Sequence, residues 1–298
     1  NIASRLGAGA ISALDWGWRL MQIPETLIGT AMGTVIFPTL AALSELGDES
    51  GKRDAMAGAL RFILVATIPG AIGLIVVGPS LIRMLERGAF DASASVLVYS
   101  TLRFFALGLV VHSALEIVAR SFYADKDTFT PLLAALGGAA INLLLSFALS
   151  DVANAERYTI LNNFTLVDIS PTLTLIRGNV GGLALANSLG VAFEVSFLLV
   201  LLRRRWHGIA ERALAQTTIK ALAASLVMAL AISVIDIVWV QLGLHMRGFA
   251  FIIAEIGVKA GAGLVVFAIM AIALRMEEIN ELRNLFLRRK LAVQEVTI

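Results

Sequence analysis

Phe62-Ile-Leu-Val-Ala-Thr-Ile-Pro-Gly-Ala-Ile-Gly-Leu-Ile-Val-Val-Gly-Pro-Ser-Leu-Ile82 runs for 21 residues without a charged side chain. Wound as an α-helix at about 1.5 Å per residue, it is about 31 Å long, the thickness of a bilayer's hydrocarbon core. Inside lipid the backbone N–H and C=O groups have no water to bond, so a spanning segment must satisfy them itself. The stretch lacks the strict apolar–polar alternation of a barrel strand. It therefore predicts a membrane-spanning helix, placed over 56–85.

Working outward, six more runs of the same kind appear at 14–43, 93–121, 129–150, 180–202, 216–240 and 249–274. Together they predict an all-α polytopic membrane protein with seven transmembrane helices. Composition agrees. The chain is 58% hydrophobic and 15% charged, with a mean hydropathy of +0.84, whereas soluble domains carry about 25% charged residues. Pro24, Pro38, Pro69 and Pro79 fall in or beside the first two spans and predict bends.

Lys and Arg are unevenly placed. The loops at 44–61, 120–131 and 203–220 and the tail after 274 hold fifteen of them. The N-terminus and the alternate loops hold six: Arg5, Arg83, Arg87, Arg157, Arg177 and Arg247. The richer side is expected to be cytoplasmic, with the N-terminus outside and the C-terminus inside. Asn1–Gly9 has no apolar core of a signal peptide and no initiator Met. The expectation is a chain that begins inside a longer protein. The one long extramembrane stretch, 151–178, is polar and then β-prone from Thr159 to Val167, and is expected outside. From Glu277 to Lys290, Ile279, Leu282, Leu285 and Phe286 would share a helix face, either on the inner leaflet or in water.

Several chemistries are excluded. With no cysteine there is no disulfide, thiolate metal site or Cys nucleophile. His112, His207 and His245 have no metal-ligand spacing, and no Walker A motif occurs. No nucleophile–base set is visible, so the chain reads as a non-enzyme. A net charge of +2 makes no case for nucleic acid.

Ionisable residues inside spans are costly and mark candidate sites. Arg19 lies in the first span, with Asp15 and Glu25 as candidate partners; it either holds a phosphate through its guanidinium fork or snorkels to the interface. Arg103, His112, Glu116, Glu194 and Asp236 are further candidates. His112 and Glu116 share a helix face and could relay a proton. Glu255 and Lys259, four apart, are expected to neutralise one another. Asn142 with Ser146, and Asn187 with Ser188, carry oxygens that suit a hard cation or hydrogen bonds between helices. Gly29-x-x-x-Gly33 and Gly257, Gly261 and Gly263 permit close helix approach.

Three stretches carry a family resemblance. Gly9-Ala-Ile-Ser-Ala-Leu-Asp-Trp-Gly-Trp-Arg19-Leu-Met-Gln-Ile-Pro24, continuing to Pro38-Thr-Leu, resembles a "SALxYAxRLxQxP…ATxxxPxLS" helix. Glu86-Arg-Gly-Ala-Phe90-Asp-Ala resembles an "ERGAFxA" turn. Ala119-Arg-Ser-Phe-Tyr123-Ala-Asp-Lys-Asp-Thr128-Phe-Thr-Pro131 resembles an "RxFYAxxDTxTP" loop. Gly181-Gly-Leu-Ala-Leu-Ala-Asn187-Ser-Leu adds a weaker match. Order and spacing agree with the MurJ/MviN family of the MOP (MATE-like) exporter superfamily over residues 1–205, apart from the long insert.

The resemblance implies a protein of two lobes and fourteen helices, of which this chain is the C-terminal half. Residues 1–203 would be the second-lobe bundle, with 151–178 as an external loop. Residues 204–298 would be two additional helices and a cytoplasmic tail. It implies translocation of lipid II, the undecaprenyl-diphosphate-linked peptidoglycan precursor, across the bacterial inner membrane by alternating access. Without the first lobe the fragment is expected not to transport. Arg19 falls on the family's cavity arginine, a diphosphate contact, and Gln22 stands where some members have Glu. Asn142 and Asn187 match positions that bind Na⁺ in some members, and Ser146 replaces an Asp there, so Na⁺ is the possible coupling ion. No other cofactor is implied. Lipid II and membrane lipids are the implied partners. The alternatives are a flippase for another polyprenyl-diphosphate-linked glycan, or a non-transporting, lipid-binding membrane subunit.

Overall fold

The structure, a computed structural model, describes residues 2–6, 9–86, 90, 92–149, 180–241 and 248–278. The 151–178 insert, the tail after Glu278, and Arg87–Ala89 and Asp91 of the second motif lie outside the described residues. Among the described residues the chain forms α1 (Ala10–Glu25), α2 (Ala31–Glu45), α3 (Glu49–Arg83), α4 (Ala92–Ala124), α5 (Phe129–Leu149), α6 (Val180–Arg205), α7 (Glu211–Gln241) and α8 (Phe249–Ala273). A widened π turn at Thr26–Thr30 joins α1 to α2, and the two make one 36-residue span. That gives seven helices long and apolar enough to cross a membrane, as the hydropathy predicts. The protein is an all-α polytopic membrane protein.

Several helices outrun their apolar windows. The sequence places the second span from 56, and α3 begins at Glu49 because the Asp48 side chain caps it, accepting the Gly51 N–H at 2.9 Å. Gly47 supplies the left-handed turn before it (φ +67°). The prolines act unequally. Pro24 sits one residue before Glu25 and the π turn, where the ladder is interrupted. Pro38, Pro69 and Pro79 are carried within continuous helices.

α4 is the hub. It packs on α1, α3 and α6, and half of its apolar window is buried, against 17% for α5. Lipid is as apolar as leucine, so packing here depends on close approach and hydrogen bonds, with no hydrophobic drive between helices. The Thr101 hydroxyl donates to the Ala13 carbonyl at 2.8 Å, bonding α4 to α1. α5 packs chiefly on α6. There the backbones nearly touch: a Cβ added at Gly190 would lie 2.7 Å from the Gly138 carbonyl oxygen. A Cβ added at Gly29 would lie 2.9 Å from Ser113 Cα of α4, whereas one at Gly257 or Gly261 would meet nothing within 4 Å. Leu132, Leu136, Leu143 and Leu144 of α5 stay exposed, as expected of a lipid face.

α7 packs on α3 and α8, with Val65, Ile68, Met228, Ile232 and Phe267 between them. Polar clasps complete this contact. Lys259 Nζ donates to Glu255 (2.7 Å), Asp236 (2.5 Å) and the Ser80 hydroxyl (3.0 Å), and Arg83 donates to Glu255 at 2.6 Å. The expected Glu255–Lys259 neutralisation therefore holds and recruits α3 and α7 as well. Towards the other membrane face, Arg61 donates to Glu278 and Glu277, each at 2.7 Å.

The third motif forms a further clasp. Asp125 accepts from Ser44 (2.6 Å), Lys52 (2.7 Å) and Arg205 (3.4 Å), joining the α2–α3 turn, the α4–α5 turn and the end of α6. Burial would raise the Asp125 carboxyl, but the Lys52 and Ser44 hydrogen bonds outweigh it and hold the group below the usual carboxylate range. Asp127 is also held low, first by the Thr130 backbone N–H it accepts at the start of α5.

Candidate functional site

Residues Ala10, Ala13, Gly17 and Met21 are buried and recur every three or four positions, so they form the inward stripe of α1. Gly17 is glycine because Thr101 leaves no room for a Cβ. Trp18 packs edge-on to Phe105 at 5.4 Å and to His112 at 5.2 Å, which fixes the helix's rotation. Asp15, Arg19 and Gln22 are thereby presented on the exposed face. Arg19 Nε donates to Asp15 Oδ2 at 2.8 Å, so of the two candidate partners Asp15 is the one engaged. Both side chains are more than half exposed. The pair therefore adds about 0–1 kcal/mol to stability, and its importance is positional. With Nε held, neither terminal guanidinium nitrogen has a hydrogen-bond partner among the described residues.

Beside this face an open cleft of about 530 Å³ is lined by Leu14, Asp15, Trp18, Phe105, Asn142, Ser146, Leu183 and Asn187, with Ile2 and Ala3 at its rim. The three residues expected to share a cation thus meet in one cleft, from α5 and α6. Asp15 of α1 joins them and links the cleft to Arg19. Gln22 stands about one turn beyond and does not line it. Ser146 donates to Asn142 Oδ1 at 3.2 Å. Asn187 Oδ1 lies 3.2 Å from His112 Nε2. One carboxylate and several neutral side-chain oxygens make a donor set suited to a hard monovalent cation. Among the described residues no cluster of three His, Asp or Glu could hold a metal ion.

The relay suggested by His112 and Glu116 is not assembled. His112 turns to Asn187 and Trp18, and Glu116 pairs with Arg120, one turn further along α4. That pair lines a second cleft, of about 400 Å³, with Phe37, Leu115, Tyr123 and Glu194. The Arg120 guanidinium lies against Gly33. Sequence reasoning missed the His112–Asn187 contact. Its two residues sit 75 positions apart on different helices, with no shared spacing to reveal them.

Comparison with known proteins adds to this geometry. The family model described as "Lipid II flippase MurJ" matches residues 1–254. A "Probable lipid II flippase MurJ" of Rhizobium tropici is 33% identical over 221 residues, covering 74% of this chain and 37% of the relative. A protein of the same description from Bdellovibrio bacteriovorus is 23% identical over 284 residues, 95% of this chain and 48% of the relative. A solved structure described as "Lipid II flippase MurJ, inward closed conformation" superposes with a TM-score of 0.68 at 23% identity, covering 92% of this chain and 49% of that one. The chain thus spans half or less of the length of these relatives. By a match that takes in most of its residues, and with a fold in agreement, the chain belongs to the MurJ family.

Proposed function

We propose that this chain is the second lobe of a transporter that moves lipid II across the bacterial inner membrane, with Arg19 receiving the diphosphate. Family membership supports the substrate. The observation that carries the assignment of Arg19 is its geometry. It is an exposed guanidinium on a membrane-spanning helix, anchored through Nε by Asp15, with its fork free for a phosphate.

In this reading residues 1–203 form the lobe, with 151–178 outside, and residues 204–298 form an appended helix pair and cytoplasmic tail. The N-terminus lies outside and the C-terminus in the cytoplasm. The lysine- and arginine-rich ends of α2–α3, α4–α5 and α6–α7 support that orientation. The head group enters a cavity between this lobe and another and meets Arg19, with Gln22 within reach on the same face. Anion binding favours the closed arrangement, a population shift with no bond made or broken. The polyprenyl tail stays in lipid along α7 and α8. Asn142, Ser146 and Asn187, with Asp15, would hold the coupling Na⁺. A cation there would offset the negative charge carried through the membrane.

The test is complementation of a bacterium depleted of its lipid II flippase, using the intact gene product at matched expression. Rescue by wild type and failure of Arg19→Ala is the expected result. Rescue by both removes the special role of Arg19. No rescue by a correctly inserted wild type points to another polyprenyl-linked glycan or to a non-transporting subunit. Transport that is indifferent to a Na⁺ gradient removes the cation assignment.

A further inference from the structure

Arg103 is an intramembrane charge that the site above does not use. It lies eleven residues into α4, about 16 Å along the helix. Its Nε is buried with no hydrogen-bond partner. Among the described residues the one ionisable neighbour acting on it is Tyr99, and no carboxylate does. The span residues Arg19 and Lys259, and Arg83 and Arg120 near the span ends, all have carboxylate partners. A desolvated guanidinium without a counter-charge is expensive, and one left with an empty donor calls for an explanation.

Its surroundings say where it faces. Tyr99, one turn earlier, donates to the Ile75 carbonyl of α3 at 2.9 Å. Phe104 abuts Gly181 of α6, where an added Cβ would lie 3.0 Å from the ring. Leu107, one turn later, is 49% exposed. Thr101 points the other way, to α1. Arg103 therefore occupies a furrow between α3 and α6, on the face of α4 turned away from α1 and from the cleft beside it. The guanidinium carbon sits 4.8 Å over the Phe104 ring. That stacking holds the fork in one orientation, and helical side chains lean towards the N-terminal end of their helix.

We propose that Arg103 binds the phosphate of a membrane phospholipid seated in the α3–α6 furrow. The charge is complementary, and the planar fork matches phosphate oxygens in a bidentate way. A phospholipid brings its phosphate to a lipid-facing furrow together with acyl chains that cover Leu107. This site is independent of the Arg19 assignment, being on the opposite face of the lobe.

The test is lipid retention by the intact gene product in detergent, read by native mass spectrometry with phosphatidylglycerol, diacylglycerol and inorganic phosphate as probes. Wild type is expected to retain phosphatidylglycerol about tenfold more than Arg103→Met, as loss of a charge-assisted hydrogen bond implies. Arg103→Lys should lie between them. Equal retention by wild type and Arg103→Met overturns the proposal. So does displacement of the lipid by millimolar phosphate, which would mark a free-anion site. Diacylglycerol retained as well as phosphatidylglycerol would overturn it too, leaving only an apolar furrow. The last two comparisons use wild type alone and decide the matter even if the variants fold poorly.

Discussion

Replacing Asp125 with alanine removes the acceptor on which the clasp between the α2–α3 turn, the α4–α5 turn and the end of α6 converges. The Lys52 and Asp125 side chains are 7% and 15% exposed, with Nζ and Oδ1 2.7 Å apart. Breaking one partner of a buried pair costs about 3–5 kcal/mol, mostly because the other charge is left uncompensated. Two features place Asp125→Ala near the lower limit. Arg205 keeps Asp127 at 3.0 Å, and the Lys52 ammonium keeps the Trp206 ring at 5.8 Å. The expected loss is about 3 kcal/mol. Lys52→Met should cost less, about 1–2 kcal/mol, since Asp125 retains Ser44 and Arg205. The double variant Lys52→Met/Asp125→Ala should be more stable than Asp125→Ala alone, because no stranded ammonium remains. The coupling energy should be about 2 kcal/mol. The assay is SDS-induced unfolding of the intact gene product in mixed micelles, followed by tryptophan fluorescence for wild type and the three variants. Strict additivity would refute the reasoning, as would a cost below about 1 kcal/mol for Asp125→Ala.

The same clasp should be acid-sensitive. Asp125 and Asp127 are held below their ordinary range. Their contribution is complete above the unfolded value near about 4 and is lost as pH falls through the lower folded values. Hydrogen-exchange protection factors at 44–52 and 122–130, corrected for the intrinsic pH dependence of exchange, should stay flat from neutral pH to about 4 and fall only below it. Gly190→Val should force α5 from α6, since the new Cβ would meet the Gly138 carbonyl at 2.7 Å. A loss of about 1–3 kcal/mol is expected in the same unfolding assay. Glu255→Ala should leave Lys259, which is 3% exposed, with Asp236 as its one carboxylate and deprive Arg83 of its partner, at a cost of about 3 kcal/mol, while Glu255→Leu with Lys259→Leu should be close to neutral. On the proposed function, Arg19→Lys keeps the charge and loses the fork, so binding of lipid II by the intact gene product should fall by roughly tenfold and for Arg19→Ala by more, with unfolding unchanged for both.

Hydropathy made the spans legible because a bilayer demands long apolar helices and little else. The ends were less legible. α3 gains two turns through the Asp48 cap, a polar device that a hydropathy window does not weigh. The pairing of Glu255 with Lys259 was readable as a four-residue spacing, but its extension to Ser80, Arg83 and Asp236 was not. Those residues come from α3 and α7, and only packing brings them within 3 Å. The Asp125–Asp127 motif carried the family resemblance without disclosing its structural work in joining the α2–α3 turn, the α4–α5 turn and the end of α6.

The sequence by itself determined the seven described helices that are long and apolar enough to cross a membrane, because each satisfies its own backbone within one continuous segment. It also determined the family, because the motifs are local strings. Only the tertiary structure decided which charges are paired and which residues share a cleft. Asp15 took Arg19 in place of Glu25, His112 took Asn187 in place of Glu116, and Arg103 has no carboxylate partner among the described residues. Each of these outcomes depends on how a helix is rotated about its axis and which neighbour it meets. That rotation is set by contacts such as Gly17 on Thr101 and Trp18 on Phe105, between residues far apart in the chain.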